Sequence, residues 1–137
     1  MKLFIDTSAL IALADRTDQF HQAAKALVKG LPPSTRFQTS NYILDETITR
    51  LRSTLSVHSA VRVAESVWAS AWYTVHTVDH AIERQALKLL EKYAAHHLSF
   101  TDCTTLVLLD RLRADRIFAF DHGFHRAGYL LVPGDSE

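Results

Sequence analysis

The sequence is poor in cysteine, since Cys103 is the one cysteine among 137 residues. A single thiol excludes a disulfide within the chain and is typical of proteins kept in a reducing compartment. The amino terminus also lacks a long apolar run followed by a small-residue cleavage site, so we expect no secretory signal peptide. These absences together predict a cytoplasmic protein.

An excess of charge of either sign is also absent, because 15 lysine and arginine residues balance 15 aspartate and glutamate residues. The chain therefore has no overall basic field to attract nucleic acid, although local basic patches remain possible. No uncharged apolar stretch reaches the length of about 18 residues that a membrane span needs, so we expect no membrane partner.

What remains is the composition of a globular protein, with 47% apolar and 22% charged residues. The length suits one compact domain. We expect that domain to occupy residues 1–133, with a frayed tail at residues 134–137.

Two kinds of motif are missing as well. The phosphate-binding pattern GxxxxGK[ST] does not occur, which argues against a P-loop nucleotide hydrolase. The eight histidines are not accompanied by HExxH, CxxC or CxxH spacing, so a zinc site is not favoured.

Short apolar segments alternate with helical segments along the chain. The predicted strands are Lys2–Ile5, Arg36–Thr39, Trp72–Val78, Ile117–Phe120 and Leu130–Val132. The predicted helices are Thr7–Leu13, Gln19–Lys29, residues 41–55, Val57–Ser70, residues 80–96 and a segment that begins at Thr101. We expect Thr7 or Ser8 to cap the first helix and Asp79 the fifth. This alternation predicts an α/β fold with a parallel sheet and helices on both faces.

Three aspartates occupy unusual positions in this pattern. Asp6 follows the first predicted strand, and Asp121 follows the fourth. Parallel strands place both at one edge of the sheet, where open α/β sheets bind their ligands. Asp102 lies in the first turn of an apolar helix, and helical spacing puts it on the apolar stripe between Leu106 and Leu109.

Each aspartate taken alone is explained as a helix N-cap, which contributes about 1 kcal/mol. Three aspartates that converge are not explained as caps, because neighbouring carboxylates repel and raise one another's pKa unless a cation intervenes. A hard cation such as Mg²⁺ or Mn²⁺ takes carboxylate oxygens and keeps several waters. Periodicity does not add a fourth acid, since Glu46 and the adjacent Asp45 both point away from the stripe of their helix.

Four segments together resemble the acidic motifs of the PIN-domain nucleases: "FIDTSALIAL", "TSNYILDETITRL", "LSFTDC" and "IFAFDHGF". Their order and spacing cover nearly the whole chain. The length and the "DTSALIAL" opening resemble in particular the VapC-type toxins of toxin–antitoxin pairs.

The resemblance implies a three-layer α/β/α sandwich with a mostly parallel sheet. It places the catalytic and metal-binding acids on Asp6, Glu46, Asp102 and Asp121, and so chooses Glu46 over Asp45. It also implies a supporting hydroxyl from Thr7 or Ser8. Many relatives carry a further acid where this chain has Gly123, which leaves the number of metal ions, one or two, open.

The activity that the resemblance implies is hydrolysis of RNA phosphodiesters by water activated on Mg²⁺ or Mn²⁺. The implied biological role is that of a toxin that inhibits translation or growth, that forms a homodimer and that is bound by a cognate antitoxin. RNA phosphates are expected to meet local basic residues, namely Arg50, His122, His125 and Arg126, for which a solvated surface is an equal alternative.

Two other functions compete with this one. A PIN-like domain with a compromised metal site could be an RNA-binding or scaffold module, and the glycine at position 123 is the one hint of it. A phosphatase of the haloacid-dehalogenase type also begins with a strand and an aspartate. That chemistry usually needs a second acid two residues later, where this chain has Ser8.

Overall fold

The computed structural model describes residues 1–114, 116–121, 123–126 and 130–133. Its strands are β1 (Lys2–Ile5), β2 (Arg36–Ser40), β3 (Tyr73–His76), β4 (Arg116–Phe118) and β5 (Leu130–Val132). Its helices are α1 (Thr7–Ala14), α2 (His21–Gly30), α3 (Asn41–Thr54), α4 (Val57–Ala69), α5 (His80–Lys92), α6 (Phe100–Leu112) and α7 (Gly123–Arg126). The predicted tail, residues 134–137, lies outside the described residues.

The five strands form one sheet in the order β3-β2-β1-β4-β5, and every neighbouring pair is parallel. The predicted α/β fold is therefore confirmed. β1 lies in the middle, and its Leu3, Phe4 and Ile5 are almost completely buried because a central parallel strand is covered on both faces. The order reverses at β1, since β2 lies on one side of it and β4 on the other.

The helices pack in two groups. α1 contacts α2 and α3, and α3 contacts α4, whereas α5 packs against α6. Right-handed crossovers explain the division, because the chain moves across the sheet in one direction from β1 to β3 and returns from β3 to β4. A few contacts between α3 and α6 bring the two groups together near the edge of the sheet.

Several element ends differ from the sequence prediction. The N-cap of α1 is Asp6, whose carboxylate accepts from the Ser8 backbone N–H, so the predicted cap at Thr7 or Ser8 was wrong. The fifth helix ends at Lys92 and is followed by a short 3-10 turn, Ala94–His96. α7 was not predicted from the sequence, because four residues are too few to show a helical period. Among the described residues, no helix is long and apolar enough to cross a membrane.

Candidate active site

A cavity of about 240 Å³ opens at the carboxyl ends of β1 and β4, where the strand order reverses. This is the position at which open α/β sheets bind ligands. All four acids named from the sequence line it. The full lining is Asp6, Ser8, Ile11, Asp18, Gln19, Phe20, Glu46, Arg50, Asp102, Phe120 and Asp121.

Asp6 is the deepest of these acids, with 4% of its surface exposed. Its backbone N–H continues the ladder of β1 by donating to the Phe118 carbonyl at 3.0 Å. Burial, and then the negative charge of Asp102, raise the pKa of the Asp6 carboxyl from 3.8 to about 7, although hydrogen bonds from Ser8 lower it. Asp6 is thus both the N-cap of α1 and a carboxylate that interacts with a second acid.

Asp102 is half-buried in the first turn of α6. Its carboxylate accepts from the Ser99 backbone N–H at 3.0 Å, and its own N–H donates to the Ser99 hydroxyl at 3.0 Å, which forms a capping box. Burial raises the pKa of the Asp102 carboxyl, the hydrogen bonds from Ser99 lower it, and the charges of Asp121 and Glu46 raise it further. All four acids are therefore close enough to be linked electrostatically through Asp102.

Glu46 reaches the cavity from α3, whereas Asp45 is exposed and does not line it. The helix buries Ile43, Leu44, Thr47 and Leu51, so the stripe identified from the sequence is the one that meets the protein interior. Glu46 lies on the flank of that stripe. The packing of α3 turns this flank toward the other acids.

Asp121 lies in the loop after β4, where its carboxylate accepts from the Gly123 backbone N–H at 3.0 Å. A Cβ added at Gly123 would come within 2.8 Å of the Leu98 side chain, which is buried. The glycine at this position therefore has a steric reason, because any larger residue requires Leu98 to shift.

Ser8 links Asp6 to the loop that carries Asp121. Its hydroxyl donates to the Asp6 carboxylate at 3.1 Å and accepts from the Phe120 backbone N–H at 2.9 Å. The Thr7 hydroxyl instead points to the Ile43 carbonyl, at 3.5 Å. The structure therefore assigns the contact with Asp6 to the Ser8 side chain, and the Thr7 side chain joins α1 to α3.

We expect Ser8→Ala to lower the free energy of unfolding by about 1–2 kcal/mol, because the Phe120 N–H loses its acceptor. Activity should fall by about 10-fold to 100-fold, since Asp6 and Asp121 lose their common support, as happens when groups that orient metal ligands are removed. Denaturant unfolding and cleavage rates measure the two effects. Ser56→Ala is the matched control, because Ser56 likewise accepts from a backbone N–H, that of Ser59, but far from the cavity. An equal effect of both variants on cleavage would contradict the prediction.

The chemistry of the four acids fits a hard divalent cation, because they supply carboxylate oxygens and each ionised acid is made costly by its neighbours. In the part of the chain that the structure describes, however, no three His, Cys, Asp or Glu side chains already form a group that could hold an ion. Each carboxylate has a local partner, which is Ser8, Ser99, Gly123 or, for Glu46, Arg50 at 3.9 Å.

The structure describes the basic residues named from the sequence to different extents. Arg50 lines the cavity, and 56% of its side chain is exposed, so its guanidinium is accessible beside the acids. His122 lies outside the described residues. The backbone of His125 and Arg126 belongs to α7, but their side chains lie outside what the structure describes.

Five cavity residues were not anticipated as site residues from the sequence, namely Ile11, Asp18, Gln19, Phe20 and Phe120. Asp18 and Phe20 lie in the turn between α1 and α2. The sequence pattern assigned Phe20 to the second helix, predicted as Gln19–Lys29, but that helix begins at His21 in the structure. The single signal in the sequence was the aromatic residue directly before Asp121.

The fold and the cavity of acids define a known class of protein. The family profile described as the PIN domain matches residues 3–129, and the chain belongs to this family. Within it, the chain is similar to VapC-type toxins. It is 32% identical over 130 residues to the "23S rRNA-specific endonuclease VapC20" of Mycobacterium tuberculosis, a match that covers 95% of this chain and 97% of that protein. It is 26% identical over 119 residues to "Ribonuclease VapC26" of the same organism, covering 87% and 86% of the two chains.

Solved structures agree with this assignment. The crystal structure of VapC20 from M. tuberculosis, described as a sarcin–ricin loop cleaving toxin, superposes with a TM-score of 0.87 at 31% identity and covers 93% of this chain and 96% of that one. VapBC2 from Rickettsia felis, solved with a DNA fragment from its promoter, gives a TM-score of 0.70 at 10% identity over 96% and 97% of the chains, and that likeness supports the fold alone.

Proposed function

We propose that this protein is a Mg²⁺- or Mn²⁺-dependent endoribonuclease and the toxin of a toxin–antitoxin pair. The observation that carries the proposal is the single cavity lined by Asp6, Glu46, Asp102 and Asp121, in a chain of the PIN family that is similar to VapC nucleases along almost its full length.

The cation would be held by Asp6 and Asp102, together with Asp121 and with Glu46 directly or through water. When bound, a divalent cation supplies a water of lowered pKa and neutralises charge that develops on the phosphate. The protein's own groups prepare the site. Ser8 orients the Asp6 carboxylate, and Ser99 holds that of Asp102.

Arg50 is the described basic residue best placed to meet a phosphate. It lines the cavity and is largely exposed, and its contact with Glu46 is long, at 3.9 Å. A phosphate contact of this kind positions RNA without reading its sequence. With water as the nucleophile, the products should carry a 5′-phosphate and a 3′-hydroxyl.

The substrate that the relatives suggest is the sarcin–ricin loop of 23S rRNA, because VapC20 is described as specific for 23S rRNA and as cleaving that loop. Cleavage of ribosomal RNA would inhibit translation and would take place in the cytoplasm. The partners that accompany this role are a cognate antitoxin and a second copy of the chain. Growth arrest on expression of the protein alone, relieved by a small neighbouring gene, tests the first partner, and the mass in solution tests the second.

The decisive experiment incubates the purified protein with 23S rRNA and with an oligonucleotide of the sarcin–ricin loop, in Mg²⁺, in Mn²⁺ and in a chelator. We expect cleavage at one position with either metal and none with the chelator. Equal cleavage with the chelator would contradict metal dependence. RNA binding without cleavage would favour a binding module, and release of phosphate from a small phosphomonoester would favour a phosphatase.

A further inference from the structure

Two phenylalanine rings stand at the cavity that holds the acids. Phe20 and Phe120 stack face to face, with ring centroids 4.5 Å apart and planes inclined by 4°. Both line the cavity, together with Asp6, Asp102 and Asp121. The cavity therefore has an aromatic wall beside its carboxylates.

The two rings continue a series that begins in the core. Phe118 is fully buried and meets Phe120 edge to face at 6.0 Å, and Phe20 follows as the outermost ring. Phe20 is 37% exposed, and its ring stacks on that of Phe120. The series therefore ends in an aromatic residue that is partly open to solvent.

The backbone of each outer ring is held by a hydrogen bond. The Phe120 backbone N–H donates to the Ser8 hydroxyl, which also contacts Asp6. The Phe20 backbone N–H donates to the Asp18 carboxylate at 2.9 Å, within the turn before α2. Ser8 therefore connects the Phe120 backbone directly to Asp6, and Phe20 reaches the cavity through its stacking on Phe120.

A partly exposed aromatic side chain beside the proposed site for a phosphodiester is suited to a nucleobase. Proteins that recognise single-stranded RNA stack its unpaired bases on aromatic side chains, and such stacking tolerates any base because every base has a π-face. Hydrophobic core packing does not account for the exposure of Phe20, because a core residue would be buried as Phe118 is.

We propose that Phe20 is a substrate-binding residue on which an unpaired base next to the scissile phosphate stacks, with Phe120 as its support. The inference rests on the proposed nuclease function and extends it: the preferred substrate has an unstacked base beside the cleaved bond, as in a loop and not in a continuous helix.

The first test compares cleavage kinetics of the wild type, Phe20→Leu and Phe20→Tyr. Phe20→Leu should raise KM by about 10-fold, the effect of losing one stacked base, while kcat changes far less. Phe20→Tyr keeps the ring and should behave as the wild type. Trp68→Leu is the matched control, because Trp68 is an exposed aromatic on α4, 62% exposed, that does not line the cavity. An unchanged KM for Phe20→Leu would overturn the proposal, provided that melting shows a folded variant.

The second test replaces single bases around the cleavage position by abasic sites. One abasic substitution should raise KM for the wild type as much as Phe20→Leu does, and it should add little in the Phe20→Leu variant, because the same contact is already lost. If the abasic site raises KM in the Phe20→Leu variant by the same factor as in the wild type, the proposal is overturned.

The third test does not depend on cleavage. RNA that carries 2-aminopurine at the same position is titrated with Asp102→Asn protein, with and without Phe20→Leu, and quenching of its fluorescence reports stacking. If quenching requires Phe20 but the wild-type protein cleaves no RNA in the first test, the stacking site stands and the proposed nuclease function fails. Quenching that is independent of Phe20 would overturn the stacking site, and so would a Phe20→Leu variant that loses only antitoxin binding.

Discussion

Asp6→Asn is expected to make the metal-free protein more stable at about pH 8, by about 2–4 kcal/mol. The reason is that burial, and then the charge of Asp102, raise the pKa of the Asp6 carboxyl to about 7 in the folded state, against an ordinary value of 3.8. Each unit of pKa difference corresponds to about 1.4 kcal/mol. Asparagine should keep the cap of α1, because it serves as an N-cap about as well as aspartate does.

The pH dependence follows from the direction of this shift. The folded protein holds the Asp6 proton more tightly than the unfolded chain, so between about pH 4 and about pH 7 the unfolded chain binds fewer protons. This contribution makes the free energy of unfolding of the wild type decrease as pH rises through that range, and below it the two proteins should converge.

Denaturant unfolding in a chelator, at a series of pH values, measures the difference between wild type and Asp6→Asn. Asp45→Asn is the control, because Asp45 is an exposed acid outside the cavity. If the free energies of unfolding of wild type and Asp6→Asn run parallel over the whole pH range, the pKa of Asp6 is not raised in the folded protein.

Asp102→Asn is expected to reduce RNA cleavage by about 1000-fold, which corresponds to about 4 kcal/mol of transition-state stabilisation, the scale of charge stabilisation by a metal ion. Asp102 is the acid whose charge raises the pKa of Asp6, and its own pKa is raised by Asp121 and Glu46. Asp102 thus interacts with each of the other three carboxylates, and removing its charge weakens the interactions that link all four. Asparagine retains a side-chain oxygen for the capping box with Ser99, so the start of α6 should remain intact.

Two measurements separate a lost site from a lost fold. Calorimetric titration with Mn²⁺ in the absence of RNA should show weaker binding to Asp102→Asn than to wild type, and thermal melting should show a folded variant. Asp45→Asn again serves as the control and should cleave at the wild-type rate. Cleavage by Asp102→Asn within a few-fold of wild type would remove Asp102 from the proposed site.

The two expectations together describe a site that lowers stability in the absence of the proposed cation. Acids that repel one another are retained at a price in folding free energy, and binding of a cation to the folded state offsets it by mass action. Loss of one carboxylate is therefore expected to relieve repulsion in the metal-free protein, as in Asp6→Asn, and to weaken the proposed site, as in Asp102→Asn.

Much of the fold could be predicted from the sequence, because a parallel sheet with helices on both faces leaves a clear pattern. A strand buried on both sides must be apolar throughout, as β1 is, and each helix must carry an apolar stripe. The ends of elements were less well predicted. The cap of α1 is Asp6, and neither Thr7 nor Ser8. The helix begins at Thr7, so its cap is the residue directly before it and not one of the two hydroxyl residues that the sequence favoured.

The residues of the candidate site also differ in how well the sequence predicted them. Asp6 and Asp121 follow strands, so parallel topology alone predicts that they share an edge of the sheet. Glu46 could not be found by periodicity, because the apolar stripe of α3 shows which side meets the core, and the cavity lies on its flank. The resemblance of "TSNYILDETITRL" to a PIN motif selected it, and the structure then placed it on the cavity.

The sequence by itself determined the class of fold and singled out Asp6, Asp102 and Asp121, since these follow from where strands end and which helix faces are apolar. Only the tertiary structure decided which side chains share the cavity. Asp18 and Phe20 lie in the turn before α2, although Phe20 was predicted to be helical, and they reach the acids because α1 and α2 pack against each other. The raised pKa of Asp6 depends on burial and on Asp102, and Phe20 stacks on Phe120. Both partners are distant along the chain, and only the packing of helices and sheet brings them close.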